Sequence, residues 1–554
     1  MNTSDNPNPE SLVPFYTFPV TLEDQLASLE SNPLMQRLVA SRKGYDDDPH
    51  RPQYHYVNPE GALNDPNGLC FWQGRWHLFY QGYPPEDTRQ HWGHAVSDDL
   101  VRWQDLPYCI YPGPEDCCFS GATFVEEDRV IAMYHGTKVG NMVAVSKDPL
   151  LLNWEKLSGK AVIPLRRPDG TSQPFRVFDP CVWKKGSDYY SLSAGTRRVG
   201  PGGKPIRANF LLRSNDLVDW EYLHPFVEED AFTLVGDDGA CPYFWPIGKG
   251  PDQRHILLFY SHMSGGQYLL GDYDKQRDKF IVTHGAKFNF GASNPAGVHA
   301  PSATPDNTGG VIVVFNMNPG KSFQETVTKT TGEDKEKKHL GEIIRDPNGW
   351  NQIMTLPRRL TVKGDSLQIE PIDSIKTLRG QYVHVGRTIL PANEEIVLHN
   401  VRGNCMEINA EINSQASPMV ELNVLRSSGR EEITRIAFYR ERGFRDRISR
   451  TILDEAPEKP TQSIISIDSS YSSIAPDVLS RPPENAPVVL EPSENLKLRV
   501  FIDHSVVEVF VNNKQSLAVR VYPELEDSIG ISLKSQGRPA ILQQLHAWQM
   551  NSIY

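Results

Sequence analysis

A surplus of basic residues, a long apolar run and a paired cysteine pattern are all missing from this chain. Aspartate and glutamate (69) outnumber lysine and arginine (57), for a formal charge of -12. Nucleic acids and anionic membranes both call for a basic face, so neither is an expected partner. No segment approaches the ~18 apolar residues of a spanning helix. The opening MNTSDNPNPESLVPF lacks the basic start and apolar run of a secretory signal, which makes a cytoplasmic location the expectation. Cysteine is sparse: the seven, at 70, 109, 117, 118, 181, 241 and 405, form an odd set without Cys-x-x-Cys spacing. Such a set suits buried, reduced thiols better than a disulfide framework or a zinc site.

What the chain does have is aromatic residues and repetition. At 554 residues it exceeds one ordinary core, so two large domains are expected. Five segments share an apolar run, a polar turn and a second apolar, aromatic run: GLCFWQGRWHLFYQ, GATFVEEDRVIAMYHGT, PCVWKKGSDYYSLSAGT, CPYFWPIGKGPDQRHILLFYSH and APSATPDNTGGVIVVFNMN. They begin near residues 68, 121, 180, 241 and 300. A second signature follows the first three, as VSDDLVRW, VSKDPLLLNW and RSNDLVDW, with GDYDKQRDKF as a weaker fourth copy. Units of this length with four short strands each predict a β-propeller, here of five blades over residues 51–360.

Alternating hydrophobicity resumes in DSLQIEPI, EIVLHNV, CMEINAEIN, VELNVLR and KLRVFIDHSVVEVFVNN, predicting a β-sandwich over residues 361–554. GWNQIMTLPRRL, at 349–360, reads as the junction. The first 50 residues hold one expected helix, in TLEDQLASLESNPLMQRLVASRK, spaced to dock on the outside of the propeller. The fold class is therefore all-β.

The repeat gives meaning to EGALNDPNG, residues 60–68, which alone would be turn chemistry. Aligning the units on Pro66, Pro180 and Pro242 puts Asp65, Asp179 and Cys241 in one phase, at the start of innermost strands that line a propeller's channel. Ser120 and His299 join the same ring. Two carboxylates thus converge in an aromatic setting without metal spacing or a phosphate loop, which points to glycoside hydrolysis with no metal or cofactor. A retaining mechanism sets nucleophile and acid about 5–5.5 Å apart.

LNDPNG, WHLFYQ, HWGHAVSDDLVRW, FSGATF, FDP, CPYFWPI, IMTLPRRL and LRVFIDHSVVEVFVN occur in an order and spacing that resemble glycoside hydrolase family 32, the invertase, levanase and inulinase group. The likeness runs from about residue 54 to the C-terminus. It implies a retaining β-fructofuranosidase acting on sucrose, fructo-oligosaccharides or fructan fragments. Asp65 would be the nucleophile and Asp179 the transition-state stabiliser. Asn64, Gln81 and Ser120 would contact the sugar, and Trp92 would supply an apolar wall.

Two positions depart from that pattern. The family's Arg before Asp179 is Phe178, with Arg176 two residues back, placed to occupy nearby space and counted with His299 among the expected substrate-binding residues. The family's acid Glu is Ala240, which cannot protonate a leaving group. Asp238, and less favourably Asp237, is the expected substitute from the turn before the strand. His299 is a further altered pocket position. These departures keep open a fructosyltransferase, a hydrolase of another furanoside, and a sugar-binding protein without catalysis. His91 and His94 read as packing residues because no acidic or Cys partner completes a metal site, and Cys241 reads as structural.

Overall fold

The computed structural model describes residues 11–87, 89–197, 203–321, 350–364, 366–414, 416–444 and 461–554. Five blade sheets follow one another along the first part of the chain, with the innermost strands Leu63–Trp72, Cys118–Val125, Pro180–Lys185, Ala240–Ile247 and Val298–Pro305. Each innermost strand packs on the next, and the fifth packs back on the first, which closes the ring of blades. Second strands such as Val130–Gly136 and Val311–Met317 are buried at every residue. Blades lie face to face, so these strands are covered on both sides and read as continuous apolar runs rather than alternating ones.

Among the described residues, the antiparallel blade pattern has one exception. Val227–Glu228 joins the fourth sheet in parallel with Phe280 and Ile281. The fifth sheet also runs past the expected boundary at 360, because Arg358–Lys363 pairs with Ser366–Pro371 inside it. Those two strands alternate much as the sandwich strands do, so periodicity alone could not assign them to a domain.

The single N-terminal helix expected from the sequence is two helices, Leu22–Glu30 and Pro33–Lys43. Pro33 lacks an N–H and cannot continue the first helix. It starts the second instead, where the Asn32 side chain accepts from the N–H groups of Leu34 and Met35. Leu29, Leu34 and Leu38 pack the pair against Leu106, Tyr108 and Tyr111 on the outer edge of the first blade.

After a 3-10 turn at Asp373–Leu378, the chain forms two facing sheets of seven and six strands, a β-sandwich. The sandwich and propeller share a buried polar seam. Asp503 accepts from the backbone N–H groups of Gln53, Tyr54 and His55 and from His55 Nδ1. Glu508 accepts from His55 Nε2, Arg358 Nη2 and the Leu356 N–H. Both acids lie in the LRVFIDHSVVEVFVN motif, so much of that motif's polar content serves the domain junction. None of the helices among the described residues is long and apolar enough to cross a membrane.

Candidate active site

Four of the five innermost strands slip register at the same level. The breaks lie between Leu63 and Pro66, Cys118 and Gly121, Ala240 and Tyr243, and Val298 and Pro301. A bulge places an extra residue on one strand and re-aims its side chain. The residues inside these breaks include Asn64 and Asp65, Ser120, Cys241, and His299. In the third blade Asp179 directly precedes the strand Pro180–Lys185.

All five blades meet through these side chains. Asp65 Oδ2 accepts from Ser120 Oγ at 2.6 Å and more distantly from Gln81 Nε2 at 3.4 Å. Its other oxygen, Oδ1, lies 3.8 Å from His299 Nδ1. The Cys241 thiol is 3.5 Å from Oδ2 of both Asp65 and Asp179, and its backbone N–H donates to Asp179 Oδ2 at 3.1 Å. Cys241 adopts φ +48° to aim that N–H, a conformation few non-glycine residues take. Asn64 closes the ring, donating to Gln81 Oε1 and accepting from Asn316 Nδ2, each at 3.2 Å.

Exposure rises outward from this floor. Asp65 and Asp179 are 8% and 3% exposed, Asn64, Asp238 and His299 are half-buried, and His262 and Arg176 stand in solvent. Burial, and then the charge of Asp65, push the Asp179 carboxyl up to about 7 against the opposing Cys241 N–H bond. Burial and the same two carboxylates hold the Cys241 thiol well above its ordinary value, so it stays protonated and is no nucleophile. Burial lowers His299, with Asp65 opposing.

Several expected roles change. Trp92 does not line the site: it is fully buried, donates to the Phe119 carbonyl at 2.9 Å and packs between Phe79 and Tyr134 in the core joining the first two blades. Its strand is the third of its blade, away from the channel. Arg176 lies beside the position of the missing arginine, its guanidinium over the Phe178 ring at 4.4 Å. Asp237 is fully buried and ties the turn, accepting from Ser261, Ser264 and the Leu234 N–H.

Asp238 is also unsuited to the acid role expected of it. Its two oxygens accept from His262, Oδ2 from Nδ1 at 2.7 Å and Oδ1 from the backbone N–H at 3.2 Å. Burial raises this carboxyl, but the bonds and charge of His262 outweigh it and leave it below its ordinary value, hence ionised. His262 closes the fourth repeated segment, CPYFWPIGKGPDQRHILLFYSH, but sequence reasoning gives it no chemical role. The signal was that place at the end of the repeat's second run; the structure adds that Tyr260, two residues before it, pairs directly with Ala240.

His91 and His94 pack in the blade as the sequence suggests, His91 against Ser11 Oγ at 2.8 Å and His94 against His77 at 3.0 Å. Among the described residues, the cluster with ion-ligand spacing is Cys405, Asp503 and His504, in the sandwich. Asp503 is already spent there on four N–H donors from residues 53–55.

Residues 55–371 match the family model described as glycosyl hydrolases family 32 N-terminal domain, and residues 374–549 match its C-terminal counterpart. The chain belongs to glycosyl hydrolase family 32. Similar family members include the levanase of Bacillus subtilis (strain 168), 27% identical over 540 residues that cover 89% of this chain and 69% of the levanase. The fructan 6-exohydrolase of Beta vulgaris is 27% identical over 568 residues, covering 91% of this chain and 87% of that enzyme. Among solved structures, fructan 1-exohydrolase IIa from Cichorium intybus superposes with a TM-score of 0.74 at 22% identity, covering 91% of this chain and 98% of that one. The family's two-part fold of propeller and sandwich is the fold seen here.

Proposed function

We propose that the protein is a retaining glycosidase of β-fructofuranosides, with Asp65 as nucleophile and Asp179 as the group that holds the ring hydroxyls. One observation carries the reading. Asp65 Oδ1 and Asp179 Oδ1 are both buried and have no hydrogen-bond partner among the described residues. Buried carboxylate oxygens are costly without donors, and a polyhydroxylated sugar seated between them supplies donors to Asp179 and an anomeric carbon to Asp65. The family membership and the levanase and fructan exohydrolase relatives support the fructofuranosyl unit.

In this scheme Ser120 and Gln81 hold Oδ2, so Oδ1 is the attacking oxygen. As the glycosidic bond lengthens, positive charge spreads over the ring, and the ionised form of Asp179 stabilises it. Asn64 and His299 contact the remaining hydroxyls. The covalent fructosyl–Asp65 ester then passes to water, or to a sugar acceptor in the transferase variant of the same chemistry.

The test is product analysis on sucrose, levan oligosaccharides and inulin oligosaccharides, with released sugars identified by mass spectrometry and the product anomer by NMR. Release of β-fructofuranose by the wild type, abolished in Asp65→Asn, is the expected result. Binding without release from every substrate would favour a furanoside-binding protein, the reading that Ala240 by itself suggests.

A further inference from the structure

We infer that His262, oriented by Asp238, is the general acid and base of this site, replacing the carboxyl that Ala240 cannot provide. The inference rests on the furanosidase reading above and names the residue which that reading leaves unassigned.

Position is the first argument. Ala240 pairs with Tyr260 and shares a small apolar cluster with Cys241, Tyr260, Ala300 and Phe178. The His262 ring lies 5.1 Å from that of Tyr260 and 6.3 Å from that of Phe178, so it spans the cluster around Ala240. It arrives from the neighbouring strand end rather than from residue 240 itself. Its exposure puts it at the rim, where a leaving alcohol departs and water enters, while Asp65 and Asp179 form the floor.

Orientation is the second. The contact between Nδ1 and Asp238 Oδ2 fixes the ring and its tautomer, and no described residue bonds to Nε2. A carboxylate behind an imidazole holds it in register and stabilises the imidazolium. The groups facing His262 are Asp238 from its turn, Asp179 and Phe178 from the third blade, Tyr260 from its own strand, and Asp65 and His299 from the first and fifth blades. Asp238's hydrogen bond raises the imidazole above its ordinary value, burial opposes, and the charges of Asp238, Asp179 and Asp65 add to the rise.

Elimination is the third. Cys241 is buried with its thiol held protonated, and burial likewise raises the Tyr260 hydroxyl. His299 is lowered and lies deeper. His262 is thus the accessible group of the ring whose protonated form its surroundings favour.

The chemistry balances. Asp65 Oδ1 forms a bond to the anomeric carbon as the bond to the leaving oxygen breaks, and Nε2–H of the imidazolium gives its proton to that oxygen. The neutral imidazole then takes a proton from water as the water oxygen attacks the same carbon. Asp65 departs as carboxylate and His262 is again protonated.

The experiment compares sucrose with p-nitrophenyl β-fructofuranoside, whose leaving group needs little protonation, in the wild type, His262→Ala, Asp238→Asn and Asp65→Asn. His262→Ala is expected to lower kcat/KM on sucrose about 100- to 10,000-fold but less than about 10-fold on the aryl substrate. On the aryl substrate it should accumulate a covalent adduct one fructosyl unit heavier, because deglycosylation has lost its base. Asp238 acts as a positioning residue, so Asp238→Asn should move the alkaline limb of kcat/KM to lower pH, and His262→Ala should remove that limb. An active wild type with equal losses on both substrates in His262→Ala, or with an unchanged alkaline limb, overturns the assignment and leaves the furanosidase reading standing. A wild type inert on both substrates overturns both.

Discussion

Glu508, in the sandwich, accepts from Arg358 Nη2 of the last propeller sheet at 2.9 Å, and neither side chain has any exposed surface. Glu508 is the carboxylate that pairs the buried Arg358 guanidinium, and it accepts from His55 Nε2 and the Leu356 N–H as well. Glu508→Gln therefore leaves the Arg358 guanidinium buried without its counter-charge, which costs about 3–5 kcal/mol. Thermal unfolding followed by circular dichroism should show a clearly lower midpoint. The double variant Arg358→Met, Glu508→Gln should lose less than Glu508→Gln, because no guanidinium is left without its counter-charge and the glutamine oxygen still accepts at the positions of His55 Nε2 and the Leu356 N–H.

The same seam makes stability depend on pH. Burial alone would depress His55, but its hydrogen bonds to Asp503 and Glu508 and their charges raise it to about 9. A folded value above the unfolded one means that protonation favours the folded state. This contribution is complete below about 6.5 and is lost as pH rises through 9. Denaturant midpoints measured from pH 6 to 10 should fall across that window, and His55→Gln should flatten the fall.

Ser120 donates to Asp65 Oδ2 at 2.6 Å, the shortest bond that the proposed nucleophile makes. Hydrogen bonds to charged groups contribute about 1.5–3 kcal/mol, so Ser120→Ala should reduce kcat about 10- to 100-fold. Its KM should change little, since the hydroxyl is spent on Asp65. Steady-state kinetics on the best substrate separates the two parameters.

Asp179 illustrates a conflict between stability and function. Raised from 3.8 to about 7, it favours the folded state only while protonated, and that stabilisation is lost as pH climbs from about 4 through 7. Asp179→Asn carries no charge at any pH. It should raise Tm by about 1–3 °C at pH 8, leave Tm at pH 4 nearly unchanged, and lower kcat about 100-fold or more. A Tm that falls equally at both pH values would contradict the buried-charge account.

The sequence by itself determined the blades, the sandwich and which residues stand at the head of each innermost strand. Burial periodicity is a local property: a strand covered on both faces must be apolar throughout, and a turn must carry Gly, Asp or Asn. A repeat of such units also places equivalent residues at equivalent radii, which is why Asp65, Asp179, Ser120 and His299 are legible as one ring in the sequence. The break between the two helices was legible too, in Asn32 and Pro33, though the Leu and Met spacing across it masked the signal. Tertiary structure alone decided the rest. Trp92 has the aromatic surface of a sugar-stacking wall, but the third strand of a blade faces its neighbour rather than the channel, and only packing shows this. Asp238 and His262 are 24 residues apart and share no pattern. Their pairing depends on how a turn and a strand end meet in space, and proximity of that kind sets which group holds a proton.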